Sequence, residues 1–167
     1  MHLIHAYTTI ADEITDSLKK IKILSVPSSS KIVGLALATS VGAEEITLAV
    51  GKALAAKGVR NVVVSLVHSA TILPYVAKQM AAKCDVILAV GVLETDTANL
   101  SQILTTALIE TGLRVNCPII PGMLAPGSLL ETKAALSVCL PGWIKSILSL
   151  VALGVVHPCL ISDLQVK

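Results

Sequence analysis

The sequence predicts a single three-layer α/β domain built on a four-stranded parallel sheet. Between residues 31 and 153, short apolar runs alternate with longer segments of helical period, which is typical of a parallel sheet wrapped by helices. The apolar runs are continuous, as expected for strands that are covered on both faces. A chain of 167 residues, 54% of them hydrophobic, has enough apolar material for one core and no room for a second domain.

The predicted strands and helices follow from local signals. The strands are predicted at residues 31–38, 61–67, 85–92 and 118–124. The first helix spans residues 43–57 and ends at Gly58, and the third spans residues 98–111 and ends at Gly112, since glycine commonly follows a helix.

The remaining three predicted helices begin at residues suited to a first turn. The second begins near Pro74, whose fixed φ angle suits that position. The fourth begins at Ser128, with Glu131 completing a capping box. The last follows residues 141–142 and reaches Leu153, which gives four strands and five helices.

Two extensions flank this domain of residues 31–153. Residues 1–30 contain a short helical pattern at residues 11–24 and then the serine linker 28–30. Residues 154–167 form an apolar tail that could add a strand to a neighbour's sheet. The least polar stretch, residues 146–162, is slightly short for a membrane span and is broken by Gly154 and Pro158, so we expect an interface helix there and no membrane.

Charge and composition bear on partners and location. The net charge of +2 comes from scattered residues without a dense basic patch, which argues against a nucleic-acid partner. High mean hydropathy with only 14% charged residues predicts apolar surface buried between subunits, and therefore an oligomer.

Four widely spaced cysteines form no CxxC pair, so we expect reduced thiols and no metal site. No signal peptide is recognisable, and acidic residues near the N-terminus weaken a mitochondrial address, so we expect a cytoplasmic protein with an organellar location left open. The nucleotide motifs GxGxxG and GxxxxGK[ST] are both absent, and no cofactor is expected.

The four strand-to-helix turns are where a ligand would bind in an open α/β sheet. The second and third of these turns resemble motifs of a known family. Residues 67–74 resemble the lumazine synthase motif Val-Pro-Gly-Ala-Phe-Glu-Ile-Pro through Val67, Ala70 and Pro74. Residues 92–100 resemble the motif Val-Ile-Arg-Gly-Glu-Thr-Pro-His-Phe through Val92, Asp96 in place of Glu, and Thr97. The resemblance covers residues 31–153 and implies a flavodoxin-like fold.

The departures from this family fall where its chemistry lies. Asn99 occupies the position of the histidine that shuttles protons, and an amide cannot exchange a proton near neutral pH. Glu94 replaces an arginine, and Ile72 replaces the glutamate that binds the ribityl chain. Thr39 or Ser40 stands where an aromatic ring stacks on the pyrimidine.

At the position of the family's phosphate-binding arginine, the predicted fourth helix has apolar residues, and Lys133 is the only cation nearby. Within the turns, Ala70, Thr71 and Val92 are further positions that line the family's substrate site. Asp96 and Thr97 could orient a phosphate or another small molecule at a helix N-terminus, but capping of that helix is the favoured role.

Two functions follow from the resemblance. The favoured one is a lumazine synthase-like protein that keeps the fold and the oligomeric assembly, implied to be a pentamer, a larger shell or a hetero-oligomer, but has lost catalysis and serves a structural or binding role. The alternative is an active lumazine synthase, a transferase of riboflavin biosynthesis. His68 could replace the lost proton shuttle, although a locally hydrogen-bonded loop histidine is the favoured interpretation. An unrelated flavodoxin-like binding module is a weaker third hypothesis.

Overall fold

The computed structural model describes residues 31–93, 99–125 and 129–153 and confirms the predicted fold class. The strands are β1 (Ile32–Ala38), β2 (Asn61–Val67), β3 (Val86–Val92) and β4 (Ile119–Leu124). They form one all-parallel sheet in the order β2-β1-β3-β4. The predicted helix at 11–24, the linker 28–30 and the tail 154–167 lie outside the described residues.

Four helices lie among the described residues, where five were predicted. They are α1 (Ala43–Ala55), α2 (Leu73–Met80), α3 (Leu100–Val115) and α4 (Leu129–Leu153). A single 3₁₀ turn, Ala70–Ile72, leads into α2. The resulting fold is flavodoxin-like, with three αβα layers.

Side chains alternate between the two faces of the sheet, and each face has its own core. On the first face, α1 and α4 pack on strand residues such as Leu35 and Leu88. On the second face, α2 and α3 pack on Ala36, Ala89 and Ile119. Because β1 and β3 are buried on both faces, their continuous apolar sequences are explained.

The end of α1 is the predicted glycine motif. Gly58 has a φ angle of 82°, in the left-handed region that favours glycine. The Val59 N–H bonds the Leu54 carbonyl at 3.1 Å and the Gly58 N–H bonds the Ala55 carbonyl at 3.0 Å, which is the Schellman pattern.

The predicted end of α3 at Gly112 is wrong. The helix continues to Val115, and Asn116 with a φ angle of 53° follows it as the left-handed residue. Gly112 is instead a contact point, because a Cβ there would lie 3.0 Å from the Cys117 carbonyl oxygen and 3.3 Å from the Ile119 nitrogen. The glycine lets α3 approach the start of β4 closely.

The predicted break at residues 141–142 is also wrong, because α4 is one helix of 25 residues with Pro141 in its interior. Leu136 lies before the proline and Ile144 and Ile147 lie after it, and all three are buried in the core of the first face. Pro141 itself is exposed. Packing on both sides therefore holds the helix on the sheet, while the missing backbone N–H falls on the solvent side.

A close contact between α4 and β4 supports the same conclusion. A Cβ added to Gly122 would lie 2.7 Å from the Trp143 ring, so the indole packs directly over this glycine. The single tryptophan thus packs the second half of α4 against β4.

By length and composition alone, α4 also contains one stretch, Leu130–Val151, that could cross a membrane. The inner side of that stretch carries the buried residues that contact the sheet.

Replacing Pro141 by alanine should stabilise the protein. A proline in a helix interior is about 3 kcal/mol less favourable than alanine, so we expect Pro141→Ala to raise the free energy of unfolding in urea by about 1–3 kcal/mol. Gly142→Ala should add about 0.5–1 kcal/mol, because a Cβ at Gly142 meets nothing within 4 Å. A loss of stability in both variants would show that two helices meet at this point.

Candidate functional site

The carboxyl edge of the sheet is the candidate site, since all four strands point their carboxyl ends to it. The order of the strands reverses between β1 and β3, and this switch point is where ligands bind in doubly wound sheets. The described turn residues at this edge are 39–42, 68–72, 93, 99 and 125.

In the first turn, Thr39 is used to close the backbone. Its side chain is only 5% exposed, and its hydroxyl accepts a hydrogen bond from the Val41 N–H at 3.1 Å and donates one to the Val41 carbonyl. Ser40 is exposed beside it. The hydroxyl at the predicted binding position Thr39 is therefore hydrogen-bonded within its own turn.

The N-terminus of α1 follows directly, and its charge opposes an anion. Gly42 precedes the helix with a φ angle of 73° and supplies no side-chain cap. Glu44 and Glu45 occupy the first turn. Carboxylates at this position interact favourably with the helix dipole, so they compete with any phosphate for the same backbone N–H groups.

The second turn is a compact serine–threonine cap. The Ser69 hydroxyl accepts from the Thr71 N–H at 3.4 Å, and the two hydroxyls lie 2.7 Å apart. Ala70 is half-buried, while Ile72 is 45% exposed. Ile72, a predicted binding position, thus presents an apolar side chain at the surface.

The third turn is described at its two ends. Val92 is half-buried, and the Leu93 N–H bonds the Leu124 carbonyl at 2.7 Å, which extends the β3–β4 ladder beyond the strands. Glu94, Asp96 and Thr97 lie outside the described residues.

Asn99 resumes the chain just before α3. Its backbone is left-handed, with a φ angle of 57°, and its side chain makes no capping hydrogen bond. Asparagine is among the few non-glycine residues that adopt this conformation readily. The local backbone therefore supplies a structural reason for asparagine at position 99.

At the start of α4, Lys133 is exposed, while its neighbour Thr132 is buried and Leu136 packs on the sheet. Sequence reasoning missed Thr132, a polar side chain only 2% exposed near this edge; its position four residues before Leu136 was the available signal.

The charge at the candidate edge is sparse. The described turn residues include no lysine, arginine, phenylalanine, tyrosine or tryptophan, and His68 is the one ionisable group among them. Across the described parts of the chain, no group of three or more His, Cys, Asp or Glu side chains could hold a metal ion. In the same residues, no buried side-chain nitrogen or oxygen lacks a hydrogen-bond partner.

The opposite, amino edge of the sheet holds a cluster that the sequence did not single out. An Asp85 carboxylate oxygen accepts the Ile32 N–H at 2.7 Å, and the other lies 3.6 Å from the Lys31 ammonium nitrogen. The Cys117 thiol donates to the Cys84 carbonyl at 3.4 Å. The sequence did contain a signal for this cluster: Lys31 and Asp85 directly precede β1 and β3, which are neighbours in the sheet.

Both thiols of this cluster are held in their neutral form. Burial, with smaller effects from neighbouring Cys84 and Asp85, raises the pKa of Cys117 from its ordinary value of 9.0 to about 11. Burial and Asp85 also raise the pKa of Cys84. Because the thiolate is the reactive form, these cysteines are poor nucleophiles, and their role is packing.

No family model matches the chain, and no curated protein matches its sequence.

The raised pKa of Cys117 predicts a loss of stability in alkali. The unfolded thiol ionises near pH 9 while the folded one does not until about pH 11, so the folded state binds more protons in this window and its stability falls as pH rises. We expect this thiol to contribute a decrease on the order of 2 kcal/mol between pH 9 and 11. Urea titrations of wild type and Cys117→Ala should show a shallower pH slope in the variant; parallel slopes would contradict the assignment.

Proposed function

We propose that the protein is a lumazine synthase-like assembly subunit that keeps the fold of that family, forms an oligomer and does not catalyse lumazine formation. The observation that carries the proposal is a combination: the described turns at the carboxyl edge hold no lysine or arginine, and the long apolar helix α4 is little buried by the rest of the domain. The first half of this combination concerns chemistry and the second concerns assembly.

Catalysis in the resembling family needs a proton shuttle, a cation for the phosphate and a ring for the pyrimidine. The described turns supply neither a lysine or arginine for the phosphate nor a phenylalanine, tyrosine or tryptophan ring for the pyrimidine, and Asn99 replaces the proton shuttle. The hydroxyl of Thr39 is committed to Val41, and Ile72 cannot accept hydrogen bonds from a sugar. These features support the loss of both substrate binding and proton transfer.

The outer side of α4 supports assembly. Only 17% of the apolar window in Leu130–Val151 is buried inside the domain. Leu130 and Val138 are 78% and 79% exposed, and exposed Ala134 and Pro141 continue the same apolar side. Large exposed apolar side chains on one side of a helix are typical of an interface between subunits.

The two edges of the sheet differ in their capacity to accept another strand. Ile87 and Leu93 donate to the carbonyls of Pro118 and Leu124, at 2.9 and 2.7 Å, so the even-numbered residues of β4 face β3. Pro121 therefore faces the outer edge, where its missing N–H blocks strand addition.

The outer edge of β2 has no proline and carries five apolar residues in seven. This edge fits a strand from a neighbouring subunit, and residues 154–167 are the apolar segment that could supply it. Such an exchange would link neighbouring subunits, because each donates a segment and receives one.

The catalytic half of the proposal predicts no turnover. Purified protein given 5-amino-6-ribitylamino-uracil and 3,4-dihydroxy-2-butanone 4-phosphate should form lumazine no faster than the uncatalysed reaction, measured by absorbance against an active lumazine synthase as positive control. Turnover that disappears in His68→Ala would replace the proposal with an active enzyme that uses His68 as its shuttle. Turnover that survives in this variant would also overturn the loss of catalysis.

The assembly half predicts an oligomer held by α4. Mass photometry should find an assembly in the wild type, and Val138→Asp should dissociate it because a charge would be buried against an apolar partner. Leu113→Asp on α3 is the matched control, since Leu113 is also 79% exposed but lies on the opposite helical layer. A monomeric wild type would refute assembly, and dissociation by the control alone would move the interface to α3.

A further inference from the structure

One strip of the sheet is only partly covered by the helices of the described residues. On the second face, α2 contacts β1 and β3, and α3 contacts β4. The residues of β2 on this face are Asn61, Val63, Ser65 and Val67, followed across the pair by Ile32 of β1. We call the apolar members Ile32, Val63 and Val67 the β2 strip.

The β2 strip is incompletely buried although its surroundings are apolar. Val63 is 42% exposed, and Ile32 and Val67 are only half-buried at the margin of the second-face core. On the other face of the same strand, Val62, Val64 and Leu66 pack against the core under α1. In a parallel sheet both faces are normally covered, so the cover over this strip is incomplete among the described residues.

The short length of α2 explains the uncovered area. This helix has only eight residues, Leu73–Met80, and Leu73, Ala77 and Met80 are its buried members. Met80 reaches over Gly34, where a Cβ would lie 2.9 Å from the Met80 methyl carbon. The helix is thus centred over β1 and β3 and leaves β2 to another element.

The chain itself offers a candidate cover next to the strip. Residue 31 leads directly into Ile32, which lies beside Asn61 at the start of β2. Residues 1–30 therefore enter the domain at this end of the strip. Residues 25–30 form a six-residue connection, which spans up to about 20 Å and is more than a helix layer requires.

Residues 11–24 have the amphipathic pattern of a helix that covers a sheet. Ile14, Leu18 and Ile21 recur at spacings of four and three, so they share one side of a helix. The charged residues lie on the rest of the circumference: Asp12, Glu13, Asp16, Lys19, Lys20 and Lys22. A helix of this length extends about 21 Å and the strand β2 about 23 Å, so the two match.

We propose that residues 11–24 pack as a helix across the β2 strip of their own subunit and complete the second helical layer. The apolar side of the segment contacts Val63 and its neighbours in the strip. The segment then shields the one exposed valine on this face of the sheet, while the outer edge of β2 stays open to strand addition.

Cross-linking in the full-length protein tests this arrangement. Leu18→Cys is combined with Val63→Cys in a Cys139→Ser, Cys159→Ser background, and a short phenylene bismaleimide is added. Val63 is a partly exposed site, so the substitution leaves the core intact. The matched control pairs Val63→Cys with Lys20→Cys, which lies on the opposite side of the same predicted helix.

We expect an intrachain link in the Leu18 pair at about ten times the yield of the Lys20 pair, because packing raises the local concentration of one thiol at the other. Mixed ¹⁴N and ¹⁵N protein separates intrachain from interchain peptides by mass. Interchain links in the Leu18 pair would mean that a second copy covers the strip and would overturn the proposal. Equal yields in both pairs, or no link in either, would also overturn it.

Hydrogen exchange gives a second measurement without cysteine substitutions. Leu18→Asp should speed amide exchange in residues 61–67, whereas Lys19→Asp should leave it at the wild-type rate, because only the first change places a charge on the apolar side. Identical exchange in both variants would contradict the contact. Neither measurement depends on assembly or catalysis, so this proposal and the proposed function can fail separately.

Discussion

The burial of β1 between two strands and two helical layers is the constraint on which the rest of the structure depends. Residues 33 and 35–38 of this strand are at most 1% exposed, and β1 pairs with β2 on one side and β3 on the other. Each of its larger side chains contributes about 1.5–3 kcal/mol on burial. The position of β1 also creates the switch point at the carboxyl edge, because the connections on its two sides lead to opposite faces.

The two helical layers cover this sheet unequally. On the first face, α4 extends over 25 residues and anchors itself through Trp143 on Gly122 and through Ile144 and Ile147. On the second face, α2 has only eight residues and β2 is left partly open. The long helix carries more apolar surface than one domain can bury, and the short one covers less sheet than the domain presents. Both features leave apolar side chains of α4 and β2 exposed, where they are suited to further contacts.

The candidate edge shows how local backbone requirements can account for the residue type at two predicted binding positions. Thr39 closes a turn through Val41, and Asn99 adopts a left-handed conformation before α3. Each residue suits its local backbone without any substrate. The residues of this edge therefore have structural roles. Among the described turns, the side chains that could take part in a reaction are hydroxyls and the His68 imidazole.

The sequence by itself determined the sheet. The predicted strand bounds differ from β1–β4 by at most one residue, because strands buried on both faces must be continuously apolar, and Gly58 marked the end of α1 because its backbone requires a positive φ. Only the tertiary structure decided that α3 continues through Gly112 and α4 through Pro141. Gly112 is needed for a close approach to β4, and the core contacts on both sides of Pro141 outweigh its local tendency to end a helix. Such contacts join residues far apart in the chain, so they cannot be predicted from the helix propensity of neighbouring residues.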